Sequence, residues 1–272
     1  MNFSVAISVY RNDKPKDFDR ALESITDLQT VKPTEIVLVI DGPISNELND
    51  VIEKYEKKHP IFKTIRLTEN RGLGNALKLA VENASCALIA RMDSDDISLS
   101  TRFEEQVAFF ENDSTLDVVG GDISEFIGDE DNIVACRKVP VTDNDIKSYM
   151  RTRCPFNHVS VMYKKTAVQN AGGYMDLFCN EDYYLWIRMQ LSGAKFANTG
   201  TTLVNVRTGA DMYARRGGKR YFESEKYLQK YMLAHKMIKY STYISNVTKR
   251  WIVQRCLPNG LRGWVFRKFA RN

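Results

Sequence analysis

The 272-residue sequence lacks the features that mark several classes of protein. No apolar run approaches the roughly 18–20 residues that a membrane-spanning helix needs. The five cysteines form no CxxC pair and show no spacing typical of a metal site, which indicates reduced thiols in a cytoplasm. The first ten residues carry no basic segment, so we expect no secretory signal. These absences argue against a secreted disulfide scaffold, a fibre and an integral membrane protein.

The charge of the chain is unevenly distributed. Hydrophobic residues make up 43% and charged residues 27%, which is typical of a globular protein, and the net charge is +5. Residues 219–272 hold 13 Lys and Arg but only two acids, for a net charge of +11, whereas the preceding 218 residues carry −6. Trp251, Trp264, Phe266 and Phe269 lie among these basic residues. Such a segment suits an anionic membrane surface or a nucleic acid, and the alternative is a solvated helical face.

The order of the predicted elements is typical of an α/β protein. Residue patterns predict strands over 3–9, 35–40, 62–67 and 86–91, separated by helices over 16–28, 45–58 and 73–83. This alternation predicts a mostly parallel, Rossmann-like sheet with right-handed crossovers. The later part predicts short strands over 117–138, a strand over 158–163, and helices over most of 219–270. We therefore expect a mixed second half, built onto the first, and a helical C-terminal extension.

Polar residues follow each of the four strands predicted in the first half. Ser8 and Tyr10 end the first strand, and Asp41 ends the second. Arg71 lies between an asparagine and a glycine after the third, and three aspartates within 93–96 follow the fourth. In such sheets, ligands bind beyond the carboxyl ends of the strands. The sequence therefore predicts a ligand site at this edge.

The segment RMDSDD is the sharpest signal in the sequence. Its carboxylates, Asp93, Asp95 and Asp96, repel one another unless water or a cation compensates their charge. Mg²⁺ and Mn²⁺ prefer carboxylate oxygens and bridge to substrate phosphates. The alternative is that Asp96 or Ser98 caps a helix that begins near Leu99. Capping accounts for one acid and not for three, so the pattern favours a metal site.

Further polar groups lie in the second half. Residues 180–182, Asn-Glu-Asp, open a predicted amphipathic helix, where a carboxylate can act as a general base or simply stabilise the helix N-terminus. His158 begins a predicted strand, where a structural role competes with a catalytic one. Arg215 and Arg216, next to two glycines, suit the gripping of a diphosphate, and the alternative is an exposed hinge.

Five segments occur in an informative order: SVAISVYRND, EIVLVIDGP, ENRGLGNALKLAV, RMDSDD and GGYMDLFCNEDYYLWIRM. Over residues 3 to about 210 they resemble family 2 glycosyltransferases with the GT-A fold, and in particular the bacterial branch that builds O-antigen and capsule repeat units. The matching parts are the first strand and its loop, the base-contacting aspartate, the helix start, the DxD region and the E-D-x-x-L-W signature. Leu77 and Lys78 depart from the usual ending of the third motif.

The resemblance implies a role for each matching residue. Asp182 would be the catalytic base, and Glu181 would contact the acceptor or the donor sugar. The nucleotide would be bound by Ser8, Tyr10, Asp41, Arg71, Asp93, Arg215 and Arg216. Mn²⁺ or Mg²⁺ would be bound by Asp95 and Asp93. The sugar or acceptor pocket would contain Asp96, His158 and Asn180.

The resemblance also implies an activity and a place in the cell. An inverting, metal-dependent enzyme would move a hexose, glucose or galactose, from a UDP-sugar to a saccharide on undecaprenyl diphosphate, forming a β-glycosidic bond. Residues 1–218 would form the GT-A catalytic domain, with a nucleotide-binding half over about 1–100 and an acceptor half over about 101–218. The basic extension, 219–272, would hold this cytoplasmic protein peripherally on the anionic inner face of the membrane, without a nucleic-acid partner. The alternatives are a GDP- or dTDP-sugar donor, and a non-catalytic module that binds membranes or nucleic acid.

Overall fold

The computed structural model describes residues 1–209 and 218–256. Its strands are β1 (Phe3–Val9), β2 (Glu35–Ile40), β3 (Phe62–Arg66), β4 (Leu88–Met92), β5 (Ile97–Ser98), β6 (Val118–Phe126), β7 (Ile133–Arg137), β8 (Met162–Lys164) and β9 (Phe196–Arg207). Its α-helices are α1 (Pro15–Ile25), α2 (Asn46–Lys58), α3 (Leu73–Asn83), α4 (Arg102–Asn112), α5 (Asp143–Met150), α6 (Lys165–Asn170), α7 (Glu181–Leu191), α8 (Gly218–Ala234) and α9 (Tyr240–Trp251). A 3-10 turn covers His158–Ser160, and a π-helical turn covers Ile252–Cys256.

The strands form one mixed sheet. Its order is β3-β2-β1-β4-β8-β6-β9-β5, and β7 pairs with β6. The first four strands in this order are parallel, as the sequence predicts. β8 runs antiparallel to both β4 and β6, so the second half of the chain continues the sheet with mixed strands. Because β1, β2 and β4 are parallel neighbours, the loops that follow them lie at the same edge. The division into domains at residue 218 stays a prediction.

Apolar side chains cover both faces of the sheet. Phe3, Val5 and Ile7 of β1 pack against α1, α2 and α4 on one face, while Ala6 faces a second core with α3 and α7. All four side chains are fully buried. Burial of one large apolar side chain contributes about 1.5–3 kcal/mol, so this strand is held from both sides. A strand buried on both faces requires a continuous apolar run, and this run is why β1 could be predicted from the sequence.

The strand predicted over 158–163 is wrong in its first half. Residues 158–160 form the 3-10 turn, and only Met162–Lys164 pairs as β8. The carbonyl of Asn157 accepts hydrogen bonds from both the backbone N–H and the Oγ of Ser160, at 2.9 Å each. Local bonds of this kind compete with strand pairing, so they hold the segment as a turn.

The helices α8 and α9 pack on the rest of the protein. Leu228 and Met232 of α8 enter the core beneath α3 and α7. In α9, Asn246 Nδ2 donates to the carbonyl of Arg151 at 3.0 Å. The predicted helical extension is thus confirmed as far as residue 256, while Trp264, Phe266 and Phe269 lie outside the described residues. None of the helices described is long and apolar enough to cross a bilayer.

Candidate active site

The acidic loop after β4 does not cap a helix. α4 begins at Arg102 and its N-cap residue is Thr101, so the capping alternative for Asp96 and Ser98 is wrong. The reason is that Ile97 and Ser98 pair as β5 with β9, which carries the chain on before the helix starts. The carboxylate of Asp96 is instead buried and accepts the backbone N–H of Arg207 at 2.8 Å.

The carboxylates of this loop repel one another. Burial, and after it the charges of Asp93 and Asp13, raise the pKa of Asp95 from 3.8 to about 6. Burial, and then Asp93 and Asp95, hold the pKa of Asp96 well above its ordinary value. Mutual repulsion of this kind is relieved by proton uptake or by a cation. The loop therefore provides hard oxygen ligands for a cation, and the negative charge of these ligands is only partly balanced within the fold.

These residues fit a metal that is shared with a substrate. Within 1–209 and 218–256, no three His, Cys, Asp or Glu side chains gather closely enough to enclose an ion. Mg²⁺ in phosphate-binding enzymes is held by one or two carboxylates, with water and substrate phosphates completing its shell. Asp93 and Asp95 can supply that number of carboxylates. This number of carboxylates fits a divalent cation that is shared with a substrate phosphate.

Asp13 is a site residue that sequence reasoning missed. Its Oδ2 accepts hydrogen bonds from the backbone N–H of Tyr10 and from Ser94 Oγ, each at 2.9 Å. It thereby ties the loop after β1 to the acidic loop after β4. Burial raises its pKa, and the charge of Asp93 adds to that effect. Ser8 is half-buried at the end of β1 and Tyr10 is exposed beyond it, so both lie beside this junction, as predicted.

Asp41 organises the loop that precedes α3. Its two carboxylate oxygens accept the backbone N–H groups of Arg71 at 2.7 Å and Gly72 at 2.9 Å. The structure therefore brings Asp41 and Arg71 together, as the sequence predicts, but through the Arg71 backbone. Gly42 makes this approach possible: its φ is +91°, and a Cβ there would lie 2.7 Å from the backbone N of Asn70.

Glu181 and Asp182 form the N-terminus of α7, as predicted. Asp182 Oδ1 accepts the N–H of Tyr183 at 2.7 Å, and Oδ2 accepts a long contact of 3.7 Å from Cys154 Sγ. Asp182 therefore satisfies one helix-end N–H, which is what the structural alternative expects. Burial, followed by the charge of Asp182, raises the pKa of Glu181 from 4.5 to about 7. An acid that only stabilises the end of a helix does not need to be buried, and burial of the Glu181 carboxylate disfavours its ionised form.

The acidic loop after β4 lies near the start of α7. The negative charge of Asp93 contributes to the raised pKa of Glu181, while Arg91 opposes it. At the start of α3, a Cβ on Gly74 would lie 3.6 Å from Cβ of Glu181. The loops after β3 and β4 and the start of α7 thus surround one region. This convergence joins the two acidic groups that the sequence presents 85 residues or more apart.

The predicted pocket residues His158 and Asn180 are engaged inside the protein. His158 Nε2 lies 2.9 Å from the hydroxyl of Tyr174, and burial lowers the pKa of the imidazole well below its ordinary range. The ring is therefore neutral and packs edge-on to Trp186. Asn180 donates from Nδ2 to Ser224 Oγ at 3.0 Å. Their roles toward a sugar remain predictions, and Arg215 and Arg216 lie outside the described residues.

Arg91 is a second residue that sequence reasoning missed. Its side chain is only 2% exposed and forms an ion pair with Asp93 in which both terminal guanidinium nitrogens take part. Its Nε has no hydrogen-bond partner in the part of the chain that the structure describes. The available signal was a single charge inside the apolar strand LIARM. From its position in β4, Arg91 holds the carboxylate of Asp93 in the acidic loop.

We expect Arg91→Met to lower the free energy of unfolding by about 2–3 kcal/mol, because it leaves the Asp93 carboxylate without its buried partner. Asp93 is itself one-third exposed, which keeps the effect below that of a fully buried pair. Urea unfolding measures the change. The control is Arg20→Met, whose pairs with Glu23 and Glu130 lie nearer the surface and contribute less than about 1 kcal/mol. Equal losses in the two variants would contradict the assignment.

Glu181 predicts a pH dependence of stability. The folded protein binds the Glu181 proton more tightly than the unfolded chain does, so the free energy of unfolding falls as the pH rises from about 4.5 to about 7. At about 1.4 kcal/mol per tenfold change in proton affinity, the loss is at most about 3.5 kcal/mol. We expect Glu181→Gln to remove it. Urea unfolding in EDTA at about pH 5 and about pH 8 measures this. The free energy of unfolding should fall less in the variant than in wild type between these two pH values. Parallel pH profiles would refute the prediction.

Comparisons with known proteins cover most of the chain. The model of glycosyl transferase family 2 matches residues 4–178. The amylovoran biosynthesis glycosyltransferase AmsE of Erwinia amylovora is 38% identical over 86% of this chain and 86% of its own length. A UDP-Gal:alpha-D-GlcNAc-diphosphoundecaprenol beta-1,3-galactosyltransferase of Escherichia coli is 34% identical over 99% of this chain and 96% of its own.

The fold also has known counterparts. The structure of S. aureus TarS 1–349 in complex with UDP-GlcNAc matches 93% of this chain and 73% of that chain, with a TM-score of 0.65 and 18% identity. Against a longer TarS structure, the chain spans 44% of the length. This likeness confirms the predicted GT-A architecture of a mixed sheet between helices.

Proposed function

The chain belongs to glycosyl transferase family 2, and we propose that it moves a hexose from a UDP-sugar to a saccharide carried on undecaprenyl diphosphate. Galactose or glucose is the proposed sugar, and a bacterial O-antigen or capsule is the proposed product. The observation that carries this proposal is the convergence of the acidic loop after β4 with the start of α7. The names of the E. coli and Erwinia relatives support the UDP-sugar, the lipid diphosphate and the polysaccharide.

The nucleotide is proposed to bind at the carboxyl ends of β1 and β2. Asp41 holds the backbone of Arg71 and Gly72, which shapes one wall, and Ser8 and Tyr10 lie by the neighbouring strand. Asp93 and Asp95 would hold Mn²⁺ or Mg²⁺. The cation, when bound, supplies positive charge to the diphosphate as it leaves.

Asp182 is proposed to act as the general base. It takes the proton of an acceptor hydroxyl while the oxygen forms its bond to the anomeric carbon of the sugar donor. The bond from that carbon to the diphosphate oxygen breaks, and the nucleoside diphosphate leaves with the electron pair. A single displacement inverts the configuration, so an α-linked donor gives a β-glycoside. Glu181, whose pKa is about 7, can donate a hydrogen bond to a sugar hydroxyl at or below neutral pH.

The enzyme is proposed to work at the inner face of the cytoplasmic membrane. Its acceptor would be anchored there by the lipid. The described part of the extension presents basic residues with no acid after Glu225 in the sequence, which suits an anionic surface. Each basic residue near such a surface contributes about 1 kcal/mol of attraction.

A screen of nucleotide sugars tests the proposed reaction. UDP-, GDP- and dTDP-sugars are each incubated with the full chain, Mn²⁺ and a GlcNAc-diphosphate carrying a short alkyl chain, and released nucleotide is measured. We expect release from UDP-galactose or UDP-glucose, faster with the acceptor than without it. Release from a GDP- or dTDP-sugar instead would correct the donor. No release from any donor, in the presence or absence of acceptor, would overturn the proposal.

A further inference from the structure

The corner between α8 and α9 holds an open cleft that the proposed reaction does not use. Its volume is about 570 Å³. The cleft lies where the carboxyl end of α8 turns into α9, beside the end of α5. Three of its lining residues are basic, three are apolar and one is a threonine: Arg151, Lys236, Lys239, Leu233, Met237, Ile238 and Thr242. A cleft lined by both cations and apolar side chains suits an amphipathic anion.

The three cations of the cleft are exposed and have no carboxylate partner among the described residues. Among the residues that the structure describes, no carboxylate forms an ion pair with Arg151, Lys236 or Lys239, and their side chains make no hydrogen bond. By contrast, the nearby Arg250 is paired with Glu225. The sequence contains no Asp or Glu after residue 225, so α9 supplies no carboxylate side chain to this cleft. Three like charges lining one cleft repel one another, and an anion between them removes that cost.

The backbone of this corner joins the end of one helix to the start of the next. Lys236 has a φ of +58°, a left-handed conformation that costs a residue with a side chain about 1–2 kcal/mol and that glycine or asparagine adopts more readily. This conformation closes α8, because the N–H of Lys236 donates to the carbonyl of Leu233 at 3.0 Å and the N–H of Met237 to that of Met232 at 2.9 Å. The N-cap residue of α9, Lys239, provides no side-chain cap, so the N–H groups of the first turn, in which Thr242 lies, remain available.

An exposed apolar stripe runs along α9 from the cleft. Tyr240, Ile244 and Trp251 are 67%, 45% and 50% exposed. Their spacing of four and seven residues places them on one face of the helix. Tyr240 directly follows Lys239, so the stripe starts at the basic edge of the cleft. Tyrosine and tryptophan are enriched where protein meets the boundary between lipid headgroups and acyl chains.

We propose that this cleft binds the phosphate of an anionic lipid headgroup, while the stripe on α9 lies in the headgroup boundary of the same membrane. The cations fit the phosphate, and the apolar lining with the adjoining stripe fits the lipid that carries it. A free phosphate ion would use the cations and leave the apolar features without a role. The inference rests on the proposed function in one respect, because an acceptor anchored in a membrane requires the enzyme at its surface.

Binding of the full chain to vesicles tests the cleft. The probe is phosphatidylcholine vesicles with or without phosphatidylglycerol, separated by flotation. The cleft variant combines Arg151→Gln, Lys236→Asn and Lys239→Gln, in which asparagine tolerates the left-handed backbone of position 236. We expect it to bind the anionic vesicles at least about tenfold more weakly than wild type, with both proteins nearly unbound on pure phosphatidylcholine.

A control variant distinguishes a specific cleft from general charge. Lys226→Gln, Lys230→Gln and Lys249→Gln remove three exposed lysines from the same two helices, and none of them lines the cleft. This variant has the same net charge as the cleft variant. We expect it to lose less vesicle binding than the cleft variant, since its lysines contribute general attraction and hold no phosphate. Equal losses in the two variants would overturn the cleft while leaving general attraction to the membrane in place.

Two further measurements separate the remaining outcomes. Thermal unfolding with inorganic phosphate and with soluble dihexanoyl-phosphatidylglycerol compares the two sources of phosphate, and stabilisation by phosphate alone to the same extent would overturn the lipid assignment. Nucleotide release from the UDP-sugar without membranes should be equal in wild type and both variants. If wild type releases nucleotide but does not bind anionic vesicles, the lipid site fails and the transferase proposal stands.

Discussion

Asp182→Asn is expected to lower the rate of sugar transfer by about 10²–10⁴-fold and to leave nucleotide binding unchanged. Asparagine keeps the size of the side chain and can still accept the N–H of Tyr183, which Asp182 Oδ1 accepts at 2.7 Å. What it cannot do is take the proton of the acceptor hydroxyl. Transfer to the GlcNAc-diphosphate acceptor and equilibrium binding of UDP with Mn²⁺ provide the two measurements.

A second acid at a helix N-terminus is the matched control. Glu47 is exposed and lies in the first turn of α2. This helix connects β2 and β3, whereas the acidic loop follows β4. Glu47→Gln should leave transfer at the wild-type rate and lower the stability only slightly through the helix dipole. Normal turnover by Asp182→Asn would show that Asp182 serves the helix alone and that another group is the base.

Asp95→Ala is expected to weaken metal-dependent binding of the UDP-sugar by about 100-fold or more, which corresponds to about 2.7 kcal/mol. The substitution removes one of the two carboxylates that we assign to the cation. Titration calorimetry with UDP, in the presence of Mn²⁺ and then of EDTA, measures the loss. The affinity in EDTA should be the same in wild type and variant.

The stability of Asp95→Ala gives an independent test of the same assignment. Because burial and neighbouring charges raise the pKa of Asp95 to about 6, its ionised form is unfavourable in the folded protein. Without metal at about pH 8, the variant should therefore be at least as stable as wild type. Asp50→Ala, at an exposed position in α2, should change neither binding nor stability. Wild-type affinity for UDP and Mn²⁺ in Asp95→Ala would contradict the metal assignment.

The fold was predictable because its strands and helices carry local patterns. β1 and β2 are buried on both faces and therefore read as continuous apolar runs. In α1, Phe18, Leu22 and Ile25 repeat at helical spacing and enter one core. Elements of this kind can be recognised from a dozen consecutive residues, so their order and the parallel sheet could be predicted.

The elements that were not predicted from the sequence depend on contacts that no local pattern shows. β5 is only two residues long and exists because it pairs with β9, about 100 residues later. Without that pairing, a helix starting near Leu99 was a reasonable expectation. The 3-10 turn at His158 depends on bonds from the backbone and the hydroxyl of Ser160 to the carbonyl of Asn157, which no apolar pattern reports.

The sequence singled out the candidate acids themselves, but it did not reveal the residues that hold them in place. Asp41, Asp93, Asp95 and Asp182 stand out because they follow strands or open a helix. Arg91 is hidden within a strand, and only its charge in an apolar segment gave a clue. Asp13 lies in a polar loop in which an acid is ordinary, and its role as a link between two loops became visible only when its hydrogen bonds were known.

The most direct test of the account is the position of manganese in crystals of the full chain grown with UDP and Mn²⁺. An anomalous difference map locates the ion without reference to the protein ligands. We predict a peak within about 2.5 Å of a carboxylate oxygen of Asp93 or Asp95 and of the UDP diphosphate. Carboxylates turned toward solvent, with manganese and nucleotide bound elsewhere, would contradict the account.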